Sequence, residues 1–417
     1  MKNYILISTA LLGITTSLHA QNEGFQLGNI KAETVRKHEL SPANIRGVKA
    51  TQDNTIESMK SVDVAVFKEK LKIKPVAKAK PGFDANYFGP LLHEILKDRV
   101  VGYLGLVYKD GQPISFLKWN WAKTPADGGK GWNETTRMHV ASTSKLMTAM
   151  GMVKLLDKKN ISLDEKITGY LPTYWQKGNG VDKITFRMLL NHGSGFGLSN
   201  NSQSDFTFMK NQVKNGPSDP KYANMNFGLM RILISIIDGR ISKTTVFPDD
   251  NDKYWDVITT VYYREYMNKN VFAPAGVSNV GFAPNANGAF AYDKLSDPHG
   301  WNSGDLASVA GGAAFRMSAE EVLKVVDSFR RKGNIVSDTR AKYMLDNNLG
   351  NNSHYDSPAG RIYYRKGAWG TGGQLEQTVV FCLPDNVNIV VFVNSPVGSS
   401  DDHISKFARA AIDASIF

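Results

Sequence analysis

The segment Val140-Ala-Ser-Thr-Ser-Lys145 places a serine and a lysine three residues apart at the start of a strongly apolar stretch. Apolar residues continue almost all round to Asp157, a pattern that predicts a buried helix. Residues i and i+3 of a helix lie on one face, so the Lys145 ammonium can reach the Ser142 hydroxyl. Burial lowers the pKa of a lysine, and a neutral lysine can accept the hydroxyl proton. The pair therefore predicts a serine nucleophile with a built-in base.

The Ser-x-x-Lys spacing is weak evidence on its own, because it also occurs at Ser115–Lys118 and Ser218–Lys221. The first pair lies in a predicted strand, where residues three apart point to opposite faces. Pro220 disfavours a helical turn around the second pair. Only Ser142 precedes a helix, whose N-terminal N–H groups could also bind an oxyanion. The alternative interpretation is a helix-capping serine with an unrelated surface lysine.

A second proton-transfer group is predicted at Tyr222-Ala-Asn224. A nearby ammonium favours a phenolate, and an asparagine can accept from a lysine while donating to a substrate carbonyl. A further Tyr-x-Asn pattern, Tyr266–Asn268, lies inside a predicted helix, where packing explains the tyrosine better. Packing is the alternative for Tyr222 as well.

Several segments resemble one known family. Ala141–Ala149 is similar to the Ser-x-x-Lys motif of class C β-lactamases, DD-peptidases and the esterases that share their fold. Four more segments resemble this family in the right order: Leu163–Pro172, Ile184–Phe196, Tyr222–Asn224 and Ala310–Glu320. The resemblance covers roughly residues 95–417. It implies an acyl-enzyme on Ser142, with Lys145 and Tyr222 as its proton-transfer partners and the site between a sheet and a helical region.

The third motif of that family, Lys-Thr-Gly or His-x-Gly on a strand, has no direct match. The corresponding segment is Tyr364-Arg-Lys-Gly-Ala-Trp-Gly-Thr-Gly-Gly373, which allows two registers. If Lys366 and Gly367 take the position, a cation is available to bind a substrate carboxylate. If Trp369 and Gly370 take it, the segment resembles esterases of this fold, and the spacing to Pro384 favours this register. The third alternative is that this glycine-rich segment only leads into a strand and has no role in the site.

The order of the predicted elements indicates an α+β fold. A helix at Tyr87–Lys97 precedes a hairpin of Val100–Val107 and Pro113–Trp121, and helices fill the middle of the chain. Strands return at Thr378–Leu383 and Asn388–Asn394, before a last helix from about His403. We therefore predict a β-lactamase/DD-peptidase-like fold, in which one antiparallel sheet is built from both chain ends and flanked by terminal helices, with a helical region inserted.

The N-terminal residues of this 417-residue chain have a different character. Residues 1–20 have a basic start, a short apolar run and a small-residue end at Ala20, which is typical of a signal peptide and predicts a periplasmic or secreted protein. Residues 21–82 form a basic extension, predicted as an edge strand or linker around 67–74. Residues 83–417 form the hydrolase domain. The net charge of +11 allows weak attraction to an anionic envelope surface, whereas no nucleic-acid-binding module is recognisable.

Other chemistries have little support. His192 occupies the first position of a Gly-x-Ser-x-Gly pattern around Ser194, so no nucleophile elbow is predicted. The histidines form no ligand pair, and we predict no metal or cofactor. The sequence predicts hydrolysis of an ester or amide in a small-molecule or peptide-like substrate. The alternatives are a DD-peptidase or β-lactamase, or a catalytically silent relative that binds peptidoglycan or a partner.

Overall fold

A computed structural model describes residues 64–71, 80–197, 205–398 and 402–417. The predicted signal peptide and most of the basic extension lie outside these ranges. Within the extension, Ala65–Lys70 forms a short helix, α1, so the expected edge strand or linker is wrong there. The reason is spacing: Val64, Phe67 and Leu71 recur on one helical face and pack against an apolar cluster.

The domain opens with helix α2 (Ala85–Leu96), whose N-cap residue Asp84 accepts a hydrogen bond from the N–H of Asn86 at 2.9 Å. Strands β1 (Gly102–Lys109) and β2 (Gln112–Lys123) follow as a hairpin. Its two-residue turn has φ of 51° at Asp110 and 77° at Gly111. A turn with positive φ at both central residues matches the right-handed twist of the strands.

One seven-stranded antiparallel sheet contains strands from both ends of the chain, as the sequence predicted. Its order is β3-β2-β1-β9-β8-β7-β6. The remaining strands are β3 (Lys130–Gly131), β6 (Ser353–Ser357), β7 (Gly360–Thr371), β8 (Gln374–Cys382) and β9 (Val387–Val393). A separate ribbon pairs β4 (Met138–His139) with β5 (Arg316–Met317).

The helical region is inserted between the two groups of strands. Its helices are α3 (Ser144–Lys158), α4 (Phe186–Leu190), α5 (Phe206–Asn215), α6 (Met225–Ile237), α7 (Asn251–Met267), α8 (Ala319–Arg331) and α9 (Asp338–Asp346). Helix α10 (Ile404–Asp413) closes the chain. Among the described helices, none has the length and apolar character needed to cross a membrane.

Strand alternation divides the apolar residues into two cores. Val379, Phe381 and Val391 face outward, where they pack with residues of α2 and α10. Val380 and Val390 face inward and join the larger core of the helical region. Because α3 lies in this inner core, the residues that precede it meet the inner face of β7 and β8.

Candidate active site

Ser142 lies in a tight turn that leads directly into α3. Residues Ala141–Thr143 form one turn of 3-10 helix, and Ala141 has a left-handed φ of 46°. That conformation is uncommon for a residue with a side chain and must be held in place by its surroundings. Here β8 holds it, because Thr378 Oγ1 donates to the Val140 carbonyl at 2.9 Å and lies 2.8 Å from Thr143 Oγ1. Ser142 stays partly exposed between buried neighbours.

Lys145 lies one helical turn further on and is fully buried. Its Nζ donates to Ser142 Oγ at 2.8 Å, to Asn224 Oδ1 at 2.6 Å and to the Gly312 carbonyl at 2.8 Å. These three acceptors use all three protons of an ammonium. Burial lowers the pKa of Lys145 to about 8. The lysine is therefore fixed against the serine, and at physiological pH a minor but appreciable fraction of it is neutral and able to accept a proton.

Tyr222 approaches the same oxygen from the other side. Its hydroxyl donates to Ser142 Oγ at 2.8 Å and accepts from Arg365 Nη2 at 3.0 Å. Burial alone would raise the pKa of the phenol, but the charges of Lys145 and Arg365 outweigh it and lower that pKa to about 7. The site thus holds a phenol that can exist as phenolate at neutral pH.

His192 supports the ring of Tyr222, with ring centroids 4.3 Å apart. Its Nδ1 accepts from the Ala223 N–H at 3.3 Å and lies 3.2 Å from Asn226 Nδ2. Burial and the nearby cations lower the pKa of His192 well below its ordinary value. The imidazole is therefore neutral and can act as an acceptor. Ser194, the alternative serine, is buried and donates to Asn226 Oδ1.

On β7, which carries the segment of the third motif, the cation beside Ser142 is Arg365, a residue that neither register predicted from the sequence includes. Its Nε donates to the Ser142 carbonyl at 2.7 Å, and its side chain is 1% exposed. Lys366 is the next residue, and successive side chains of a strand point to opposite faces. Burial lowers the pKa of His403 at the start of α10, and the nearby charge of Lys366 lowers it further. The Lys366 side chain belongs to the outer face, away from Ser142.

Gly367 returns to the inner face and touches the nucleophile turn. A Cβ at this position would lie 2.6 Å from the Val140 carbonyl oxygen and 2.8 Å from Ser142 N. Real side-chain carbons do not approach this closely, so only glycine lets β7 pack against the turn. The sequence offered Gly367 as a binding residue in the Lys366 register, and the structure brings it to the Ser142 turn in a register shifted by one residue.

Trp369 and Gly370 occupy the end of β7. The Trp369 ring packs edge-on against His139, with centroids 5.5 Å apart, and remains partly exposed. A Cβ on Gly370 would lie 2.0 Å from the Gln374 carbonyl, which explains a glycine at the tight β7–β8 hairpin. Trp369 thus lies on the same face of β7 as Arg365 and Gly367, whereas Gly370 shapes the hairpin.

A buried chain of polar contacts behind the site is not evident from the sequence. His139 Nδ1 lies 3.2 Å from Glu376 Oε2, and its Nε2 donates to the Ala313 carbonyl. Ala313 follows Gly312, whose carbonyl accepts from Lys145. His139 therefore braces the loop that holds the ammonium. No local pattern links His139 to Glu376, because β4 and β8 belong to different sheets and meet only through tertiary packing. The described residues contain no group of three or more His, Cys, Asp or Glu placed to hold a metal ion.

A family model described as "Beta-lactamase" matches residues 85–414 of this chain. The chain belongs to the β-lactamase family. Its members are hydrolases, and the solved structures of similar fold have different activities. The structure of a class C β-lactamase from Rhodobacter sphaeroides is 15% identical, with a TM-score of 0.56 over 76% of this chain and 94% of that one.

A D-amino acid amidase from Ochrobactrum anthropi is 17% identical, with a TM-score of 0.55 over 78% of this chain and 98% of that one. Among curated relatives, "Protein flp" of Staphylococcus aureus is 22% identical over 209 residues, which are 47% of this chain and 37% of that protein. The chain thus matches little more than a third of that relative. At these identities the solved structures establish the β-lactamase fold of this chain.

Proposed function

We propose that the protein is an exported serine hydrolase that cleaves an ester or amide bond through an acyl-enzyme on Ser142. One observation carries the proposal: Ser142 Oγ is 2.8 Å from both Lys145 Nζ and Tyr222 OH. The pKa of each group is lowered, to about 8 for Lys145 and about 7 for Tyr222. A hydroxyl between two groups of this kind can lose its proton to one while the other stores or returns it.

In the proposed cycle, Ser142 Oγ attacks the substrate carbonyl as its proton passes to the Tyr222–Lys145 pair. The same proton is then delivered to the departing alcohol or amine, and an acyl group remains on Ser142. Water, deprotonated by the same pair, then attacks the acyl carbon; the bond from that carbon to Ser142 Oγ breaks, the pair returns the proton to Oγ, and the acid is released. Asn224, which accepts from Lys145 through Oδ1, keeps its amide N–H groups for the substrate.

Two backbone N–H groups are proposed as the oxyanion hole, those of Ser142 and Ala368. The Lys366 N–H donates to Asn352 Oδ1 at 2.8 Å, on the edge of β7 away from β8. Peptide directions repeat every second residue of a strand, so the Ala368 N–H faces the same edge. Gly367, the residue before Ala368, contacts the Ser142 turn. This contact supports a position of the Ala368 N–H beside the nucleophile.

The buried state of Arg365 favours neutral esters and amides as substrates. Two of its nitrogens are already bonded to the Ser142 carbonyl and to Tyr222, and almost none of the side chain is accessible. A DD-peptidase or β-lactamase activity remains the second candidate, because Arg365 Nη1 is buried without a hydrogen-bond partner among the described residues. A substrate carboxylate that reached Arg365 Nη1 would accept a hydrogen bond from it.

A substrate panel decides between these candidates. Values of kcat/KM are measured for a p-nitrophenyl ester, a chromogenic cephalosporin and a D-Ala-D-Ala peptide. We expect the ester to be turned over fastest. Faster turnover of either carboxylate-bearing substrate would replace the first candidate with the second. No turnover of any, together with no labelling of Ser142 by an acylating probe, would indicate a silent binding relative.

Export is proposed from residues 1–20 alone, which precede the described residues. N-terminal sequencing of protein from its native host is expected to begin near Gln21, in the periplasm or the medium. A retained Met1 on cytoplasmic protein would contradict export. The basic residues of 21–82 would then face the anionic envelope, and a salt-sensitive association with anionic vesicles tests that interaction.

A further inference from the structure

A cavity of about 250 Å³ opens beside the β4–β5 ribbon, and three arginines line it: Arg137, Arg264 and Arg316. None of its lining residues contacts Ser142 Oγ or Lys145 Nζ, so this space is separate from the proposed active site. Such a concentration of guanidinium groups around a small space requires an explanation, since like charges repel.

Arg137 is already neutralised. Its guanidinium forms an ion pair with Glu321 and donates to the backbone carbonyls of Ser278 and Asn279 at 3.0 and 2.8 Å. It forms a fixed wall of the cavity and has no unbalanced charge. Arg264 and Arg316 differ from Arg137, because neither forms an ion pair within the described residues.

Arg316 is buried, at 4% exposed, yet no carboxylate contacts it in the described part of the chain. Its nitrogens donate to the carbonyls of Phe282 and Gly304 at 3.2 and 2.9 Å and to Ser303 Oγ at 2.5 Å. Carbonyls and a hydroxyl satisfy the hydrogen bonds of this guanidinium, while the carboxylates of Glu376 and Asp305 act on its charge only from beyond contact distance. A buried charge of this kind is costly unless an opposite charge approaches it.

Arg264 projects from α7 into the same cavity and is half-buried. Within residues 64–71, 80–197, 205–398 and 402–417, its side chain has neither an ion pair nor a hydrogen bond. Against these two cations the cavity contributes one carboxylate, that of exposed Asp305, whose Oδ1 accepts from the Ala307 N–H at 2.9 Å. The walls therefore carry net positive charge.

We propose that this cavity binds a small molecule bearing a carboxylate or phosphate group, held between Arg264 and Arg316. Planar guanidinium groups bind either oxyanion through paired, charge-assisted hydrogen bonds. The volume of about 250 Å³ is below the range of about 300–1,000 Å³ that is typical of drug-sized ligands, and so favours a small anion. The proposal is independent of catalysis at Ser142.

Isothermal titration calorimetry of the full chain tests the site, with inorganic phosphate and succinate as separate probes. We expect saturable binding of at least one probe, and the stronger of the two identifies the preferred group. Arg264→Gln should weaken binding about tenfold or more, because a hydrogen bond to a charged group is lost without breaking an ion pair. Asp305→Asn keeps the acceptor for Ala307, removes the opposing charge and should tighten binding.

Arg361→Gln is the matched control, because it removes one positive charge from an exposed residue that pairs with Asp356 outside the cavity. Its binding should equal that of wild type. The proposal fails if neither probe gives saturable heat, if Arg264→Gln binds as wild type does, or if Arg361→Gln weakens binding equally. Circular dichroism of each variant establishes that the fold is retained.

Discussion

Replacement of Arg365 by glutamine should move the pH dependence of catalysis to higher pH. In the proposed cycle the Tyr222–Lys145 pair accepts the Ser142 proton, so activity is lost as pH falls and the phenolate is protonated. The pKa of Tyr222 is about 7 because Lys145 and Arg365 outweigh the effect of burial. Without the Arg365 charge that pKa must rise, and the acidic limb of kcat/KM must rise with it.

The magnitude follows from the geometry. Arg365 Nη2 lies 3.0 Å from the phenolic oxygen. A unit charge about 4 Å away contributes about 4 kcal/mol at an effective dielectric constant of about 20, which is equivalent to about 3 pKa units. Water that enters the vacated space reduces this, so we expect a rise of about 1–3 units. At pH 7 the phenolate fraction, and with it kcat/KM, should fall roughly 5- to 500-fold and recover in alkaline buffer.

The assay is the pH profile of kcat/KM for a p-nitrophenyl ester, corrected for spontaneous hydrolysis. Arg365→Lys is the control, because it retains a cation beside Tyr222 and should keep the acidic limb near its wild-type position. The two proton sites are coupled, so the limb reports the Tyr222–Lys145 pair and not one residue. An unchanged limb in Arg365→Gln, with only a uniform loss of rate, would refute the electrostatic role of Arg365.

Three further predictions concern the same site. Tyr222→Phe should lower kcat by about 10²–10⁴ with thermal stability near wild type, whereas Tyr266→Phe, which loses only a bond to a helix carbonyl, should retain activity; full turnover by Tyr222→Phe would reduce Tyr222 to packing. Lys366→Ala should leave kcat/KM for neutral and carboxylate-bearing esters unchanged, and a selective loss of the latter would return Lys366 to the site. Gly367→Ala should slow acylation of Ser142 in stopped-flow traces, because its Cβ would lie 2.8 Å from Ser142 N; wild-type acylation would show that this contact is dispensable.

The parts of the site that depend on local geometry could be predicted from the sequence. Ser142 and Lys145 lie one helical turn apart, so their contact follows from helix spacing. The composite sheet was predictable for a similar reason, because the hairpins at both chain ends have clear alternation and turns. Tyr222 and Asn224 were candidates by their chemistry, but only the family resemblance placed them beside Ser142, since they are distant from it in sequence.

The residues of β7 that face Ser142 could not be predicted from the sequence. Arg365 and Lys366 are adjacent cations, and a shift of one residue moves a side chain to the opposite face of a sheet. The face is decided by the contact of Gly367 with the Ser142 turn and by the outward packing of Tyr364, and both are tertiary features. The His139–Glu376 pair and the arginine cavity depend equally on residues distant in sequence.

The central claim is that Ser142 is the nucleophile, and mass spectrometry of the protein after treatment with a fluorophosphonate probe, which phosphonylates a reactive serine, tests it most directly. We expect a single adduct on the intact protein, mapped by peptide sequencing to Ser142 and absent from Ser142→Ala. Ser194 is the relevant comparison, because it lies in the competing glycine-flanked motif but is buried against Asn226. An adduct on Ser194, or labelling that persists in Ser142→Ala, would show that Ser142 is not the nucleophile.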